Sequence, residues 1–170
     1  MATAEISSDG VYRYSLTRQW GDGETACFVM LNPSTADAVH DDPTIRKCVG
    51  FAKRWGFGSL EVVNLFAFRA TNPAVLRSAP HPIGPLNDDR IELAASRAGR
   101  IIAAWGGGGR YLNRGQKVRE RLRWLGYEVW AIRKTNGEPW HPLYLPYEEQ
   151  PIVIEKPREP VSLTGGPHGK

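Results

Sequence analysis

Cysteine is almost missing from this chain, with only Cys27 and Cys48 among 170 residues. Two thiols cannot hold zinc or an iron–sulfur cluster without other ligands. One lies in an apolar run and the other on a predicted helix, so both read as buried thiols in a reducing compartment. Long apolar runs are also missing. Nothing approaches the ~20 consecutive apolar residues that cross a bilayer, and the first 25 residues lack the apolar core a signal peptide needs. No membrane partner is expected, and the cytoplasm is the expected location. There is no large charge excess: 22 Lys and Arg stand against 18 Asp and Glu, a net +4. That balance permits a nucleic-acid or nucleotide partner without demanding one. Several catalytic signatures are absent too. No G-x-S-x-G surrounds a serine, the glycines at 106–109 do not complete G-x-G-x-x-G, and Asp37, His40, Asp41 and Asp42 match no metal-ligand spacing. No cofactor and no metal is expected.

What is present is a globular pattern, 41% apolar and 24% charged, in a length that suits one domain. Residues 1–10 are polar and read as a flexible N-terminus, and 150–170 as a Pro/Gly-rich flexible tail, leaving a single α/β domain at 11–149. "VYRYSLTR" (11–18) partly alternates and fits an edge strand. "ACFVML" (26–31), "LEVVNLF" (60–66), "RIIAAWG" (100–106) and "YEVWAI" (127–132) read as four strands, the first two buried on both faces. Between them, "DDPTIRKCVGFAKRWG" (41–56) has helical spacing at Ile45, Cys48, Val49, Ala52 and Trp55, a cap at Asp42, Pro43 in its first turn and a stop at Gly56. Residues 88–99 and part of 110–126 read as further helices. Residues 68–87 form a Pro-rich crossing with little regular structure, long enough to be functional or disordered. Strands alternating with helices predict a three-layer αβα fold around a central, mainly parallel four-stranded sheet.

Such sheets bind ligands beyond the carboxyl ends of their strands, and the polar clusters fall at those ends. The first strand delivers Asn32, Pro33 and Ser34. Asn32 is neutral at all pH values and can orient a water toward a carbon becoming cationic, or can simply form the turn before Pro33. Ser34 and Thr35 fit turn residues, anion contacts or a nucleophile without an evident base. Asn64 is a polar residue in a buried strand that needs partners; its amide matches a nucleobase edge or a neighbouring loop. His141, between Trp140 and Pro142, can donate to a developing oxyanion or pack locally. Asp37 or Asp41 is a further general-base candidate. Arg69, Arg110 and Arg114 are candidate phosphate contacts.

"FVMLNPSTADAVHDDPTIRKC", "EVVNLFAFRATNP", "IIAAWG" and "HPLYLP" together resemble the DUF1643 family, over roughly residues 11–147. That family lacks an established role. More distantly, the order of elements and the segment "MLNP" resemble the uracil-DNA glycosylase superfamily, several branches of which carry G-x-N-P after the first core strand. The resemblance implies a uracil-DNA-glycosylase-like fold in which Asn32 positions the attacking water. It further implies that Asn64 reads the base and that His141, in "HPLYLP", contacts the base carbonyl. Met30 stands where that motif has its first glycine, Ser34 replaces the common second one, and Leu143 and Tyr144 replace the short residues of the His loop.

The expected function is therefore DNA-glycosylase-like hydrolysis of an N-glycosidic bond in a damaged or modified nucleotide, and so an enzyme. The alternatives are a non-catalytic nucleotide or nucleic-acid binding domain, or a hydrolase of free nucleosides or nucleotides. Asn32 and His141 would be catalytic. Pro33, Ser34, Asn64, Phe66, Arg69, Trp105 and Arg110 would bind substrate, with Phe66 or Trp105 stacking on the base. The expected partner is DNA or a nucleotide or nucleobase ligand, bound by a monomer or weak dimer.

Overall fold

The two most fully buried long strands, centred on Phe28 and Val62, lie side by side at the heart of the sheet, because only a position covered on both faces removes all their side chains from water. The computed structural model describes residues 1–160. In chain order its elements are β1 (Ala2–Ile6), β2 (Arg13–Gln19), β3 (Thr25–Met30), α1 (Pro43–Arg54), β4 (Ser59–Asn64), α2 (Pro73–Ser78), α3 (Asn87–Arg97), β5 (Arg100–Ala103), α4 (Arg114–Trp124), β6 (Val129–Ala131), a small hairpin of β7 (Lys134–Thr135) and β8 (Glu138–Pro139), and β9 (Ile152–Glu155). Tight 3-10 turns cover Gly106–Asn113 and Pro142–Tyr144.

The seven-stranded sheet runs in the order β1-β2-β4-β3-β5-β6-β9. Its middle four strands, β4-β3-β5-β6, are mutually parallel, while β1, β2 and β9 add antiparallel. A parallel core with helices on both faces matches the expected class, but the sheet is wider than the four strands expected. Ala2–Ile6, read as a flexible end, pairs with β2. Ile152–Glu155, inside the segment read as a flexible tail, pairs with β6. Both are exposed edge strands with only partial burial, so neither carries the apolar run that marks a central strand. Residues 161–170 of that tail lie outside the described residues. The Pro-rich crossing also holds regular structure, since Asn72 caps the short α2 by accepting from the Ala74 N–H at 2.8 Å.

α1 covers one face of the sheet. Its Ile45, Cys48, Phe51 and Ala52 pack with Phe28, Met30, Leu60, Val62 and Ile102. Its start is fixed by Asp42, whose carboxylate accepts the Ile45 N–H at 2.9 Å, with Pro43 at the first helical position. On the other face, Ile91, Ala94 and Ala95 of α3 and Val118 and Leu122 of α4 pack against Cys27, Val29, Val63, Ile101 and Val129. Cys27 and Cys48 are free, buried thiols, and burial pushes both well above the ordinary thiol range. No helix among the described residues is long and apolar enough to cross a membrane.

This order fixes where a ligand can sit. From β3 the chain passes through α1 to β4 on one side. From β4 it crosses through α3 to β5, on the other side of β3. The segments leaving β3 and β5 therefore depart in opposite directions, the topology that in such sheets puts a ligand crevice between them at the carboxyl edge.

Candidate functional site

β3 ends at Met30, in register with Asn64 at the end of β4. The pairing then continues into the loops: Leu65 N–H donates to the Met30 carbonyl at 2.9 Å, Phe66 N–H to Leu31 at 3.0 Å, and Ala70 N–H to Pro33 at 3.0 Å. Asn32 closes this zipper. Its Nδ2 donates to the Ala70 carbonyl at 2.7 Å and to the Pro33 carbonyl at 3.2 Å. Two carbonyls on one side identify that end of the amide as the NH₂. Oδ1 is left as an acceptor with no partner among the described residues. Two residues on, the half-buried Ser34 sets its hydroxyl 3.3 Å from that of Thr71. Pro33 itself is buried.

The same loop is held from β2 by two arginines. Arg13, 2% exposed, donates through Nη1 to the Ala36 carbonyl at 2.5 Å. Arg18 pairs with Asp41 at 2.8 Å and donates to the Asp37 carbonyl at 2.5 Å. Burial pulls the Arg13 guanidinium down to about 10, with Asp42 partly offsetting the cost. The Asp37 carboxylate accepts from the Val39 and His40 N–H groups at 2.8 Å each, and those bonds lower it to about 2. It serves as a turn acceptor and is too acidic for the general-base role expected of it.

Across the crevice, β5 runs into Trp105 and the glycines. A side-chain carbon on Gly108 would lie 2.6 Å from Leu31 Cδ2, and one on Gly106 would lie 3.6 Å from His141 Cβ. The loop before Asn32, the glycine turn and the His141 loop therefore meet at the crevice. His141 caps its own 3-10 turn, with Nδ1 accepting the Leu143 N–H at 3.2 Å. When Nδ1 accepts, the proton of a neutral ring sits on Nε2. Burial lowers the His141 pKa below its ordinary value, against a smaller opposing pull from Asp42, so the ring is held neutral. His141 opens on a cavity of about 390 Å³ between the glycine turn and the β7–β8 hairpin, whose lining also includes Arg110, Glu138 and Trp140.

The expected residues thus divide. Asn32, Ser34 and Pro33 meet the stretch that follows Arg69, and His141 shares its cavity with Arg110. Arg69 is half-buried and donates to the Gly10 carbonyl at 3.3 Å; Arg110 is exposed and donates to the Asn136 carbonyl at 2.9 Å. Asn64, Phe66 and Trp105 do not reach the rim. Their exposures are 1%, 0% and 2%. Phe66 packs on Tyr111 with ring centroids 5.3 Å apart, and Trp105 lies under Gly109 and Gly115 with Nε1–H donating to Glu138 at 3.0 Å. The aromatic stacking expected of Phe66 and Trp105, and the base contact expected of Asn64, are corrected on this ground: they are core side chains. The Asn64 carbonyl is held by Asn87 at 2.8 Å, and its own Nδ2 is buried without a partner among the described residues. Arg114 is likewise internal, donating to the Leu65 carbonyl and paired with Asp88.

Sequence reasoning missed Arg13, Glu138 and Trp140. The last two had a local signal: "TNGE" is an Asn-Gly hairpin turn, with both central residues at positive φ (51° and 83°). Recognising it would have placed Glu138 on a hairpin strand leading into Trp140 and His141.

Residues 13–143 match the profile of a family described as "Protein of unknown function (DUF1643)". No curated protein and no solved structure matches the chain.

Proposed function

The chain belongs to the DUF1643 family, and from the carboxyl edge of its sheet we propose that it hydrolyses the N-glycosidic bond of a damaged or modified nucleotide in DNA. One observation carries this reading. A neutral acceptor, Asn32 Oδ1, and a neutral donor, His141 Nε2–H, stand on loops at the same edge of the sheet, and each is oriented by a backbone hydrogen bond on its other end. Groups fixed before the reaction cost no reorganisation during it. The parallel core and the Asn-Pro step after β3 support the uracil-DNA-glycosylase-like reading of the fold.

The chemistry suits neutral groups. The C1′–N bond breaks with its electron pair leaving on the base, and an oxocarbenium-like sugar remains. Asn32 Oδ1 accepts a hydrogen bond from a water and aims its lone pair at C1′. The water oxygen bonds to C1′ and its proton is released to solvent, while the departing base takes up a proton. His141 donates Nε2–H to the oxygen of the base on which negative charge develops. Arg69 and Arg110 contact backbone phosphates. A base within a duplex must first be extruded.

A second reading, a non-catalytic nucleotide or nucleic-acid binding domain, uses the same edge, since the backbone bonds that orient Asn32 and His141 would serve a bound ligand as well as a reacting one. Turnover separates the two. Hydrolysis predicts abasic sites in oligonucleotides with modified bases, reduced on the order of a hundredfold by Asn32→Ala. A binding domain forms none with either protein. Release of base from free nucleosides, with duplex DNA ignored, marks the free-nucleoside hydrolase instead.

A further inference from the structure

We infer that the cavity between the glycine turn and the β7–β8 hairpin is a nucleobase subsite that selects bases carrying an exocyclic amine, with Glu138 as the reading group and Trp140 as the stacking platform. This rests on the hydrolase reading of the same edge and supplies the base contact that buried Asn64 cannot.

The volume, about 390 Å³, falls within the range of small-molecule sites and exceeds a single base ring. Its chemistry is specific. The Glu138 side chain is only 18% exposed, and the carboxylate is oriented from two sides. Trp105 Nε1–H donates to Oε2 at 3.0 Å, and Arg110 Nε lies 3.7 Å from Oε1. Each carboxylate oxygen can accept twice, so acceptor capacity remains toward the cavity. A half-buried carboxylate with unfilled capacity favours N–H donors in its ligand. An amino-bearing base offers these, in the manner of a Glu accepting from the amine of cytosine. His141 lines the same cavity and contributes the complementary donor, Nε2–H, for the ring nitrogen or carbonyl adjoining an amine. An oxo base with a carbonyl in place of the amine would set oxygen against carboxylate.

Trp140 supplies the flat face. It is 39% exposed, unlike the buried Phe66 and Trp105, and its ring is fixed by Nε1–H donation to Thr135 at 2.8 Å. The Arg133 guanidinium lies 4.9 Å from the ring centroid. Gly106 and Gly107 leave the opposite wall without side chains, and Gly106 sits at φ 69°, a conformation that disfavours any replacement.

Calorimetric titration with 2′-deoxycytidine and 2′-deoxyuridine tests this without involving phosphate contacts or turnover. The wild-type protein is expected to bind deoxycytidine at least about tenfold more tightly, since one good base-edge contact supplies that much discrimination. Glu138→Gln retains an acceptor for Trp105 and adds a donor, so it is expected to lose most of that preference and gain affinity for deoxyuridine. Trp140→Ala should weaken both nucleosides alike. Equal wild-type affinities, no binding of either, or an unchanged preference in Glu138→Gln would overturn the subsite. Asn32→Ala, outside this lining, separates the two claims. If it keeps the deoxycytidine affinity while wild-type protein makes no abasic sites, the subsite stands and the hydrolase reading falls.

Discussion

At the scale of single residues, the account depends on two side chains whose backbone bonds make them look merely structural. Asn32→Ala removes donations to the Ala70 and Pro33 carbonyls along with the free Oδ1. We expect about 1–2 kcal/mol lower stability in urea titration and a far larger loss of turnover. Asn32→Asp separates these effects, because a carboxylate facing two carbonyls cannot donate to either. It should destabilise at least as much as alanine. His141 makes a prediction in pH. Its pKa in the folded protein lies below the free imidazole value of 6.5 through burial, so the unfolded chain binds the proton more readily. Stability from this group is fully present above pH 6.5 and is lost as the pH falls through the lower, folded value. Turnover should fall over the same acid range, as the ring becomes charged. Urea midpoints between pH 5 and 8 should show this slope in the wild type and lose it in His141→Gln.

At the scale of elements, the glycine turn and the β2 arginines shape the crevice. A side-chain carbon on Gly109 would lie 2.2 Å from Trp105 Cδ1, on a ring with no room to move. Gly109→Ala should therefore cost roughly 1–3 kcal/mol, read as a lower melting temperature, and displace Glu138 through its bond to Trp105. Arg13 makes the opposite kind of prediction. Its fall from 12.5 to about 10 means that its buried charge opposes folding at neutral pH, on the order of 3 kcal/mol. Its bond to Ala36 returns about 1 kcal/mol. Arg13→Met should raise the urea midpoint yet speed amide exchange across residues 32–42, which would identify the arginine as retained for the loop. The elements themselves were legible where the pattern was strong. Residues 26–31, 60–66 and 41–56 announced two buried strands and a capped helix. The edge strands at 2–6 and 152–155 were not legible, because half-exposed strands lack an apolar run and their pairing is set by the partner. Asn64, Phe66 and Trp105 were placed at the correct strand ends but on the wrong side of the surface. Strand order says where a chain emerges, whereas the direction of a side chain depends on pleat parity and on what covers it. Here Met30 lies in register with Asn64, and Tyr111, Gly109 and Gly115 lie over the rings.

At the scale of the molecule, the crossing from β4 over β3 to β5 makes the crevice, and the three loops that meet there are drawn from along the chain, from Leu31 through Gly106 and Gly108 to His141. That convergence was the part of the site the sequence could express, since alternation of strands and helices implies it. Net charge adds little, because the excess is only +4 and several arginines, among them Arg18, Arg114 and Arg121, are neutralised in ion pairs. Affinity for DNA should rest on few phosphates. Replacing Arg69 or Arg110 by alanine should lower the salt slope of duplex binding by about one each, uniformly across sequences. The central claim is that the crevice breaks an N-glycosidic bond using Asn32. Its most direct measurement is alkali cleavage of single-stranded and duplex oligonucleotides carrying a panel of modified bases, after incubation with wild-type and Asn32→Ala protein. The account predicts strand breaks at a modified position with the wild type, reduced about a hundredfold by the substitution while DNA binding persists. No breaks on any substrate, or equal cleavage by both proteins, would contradict it.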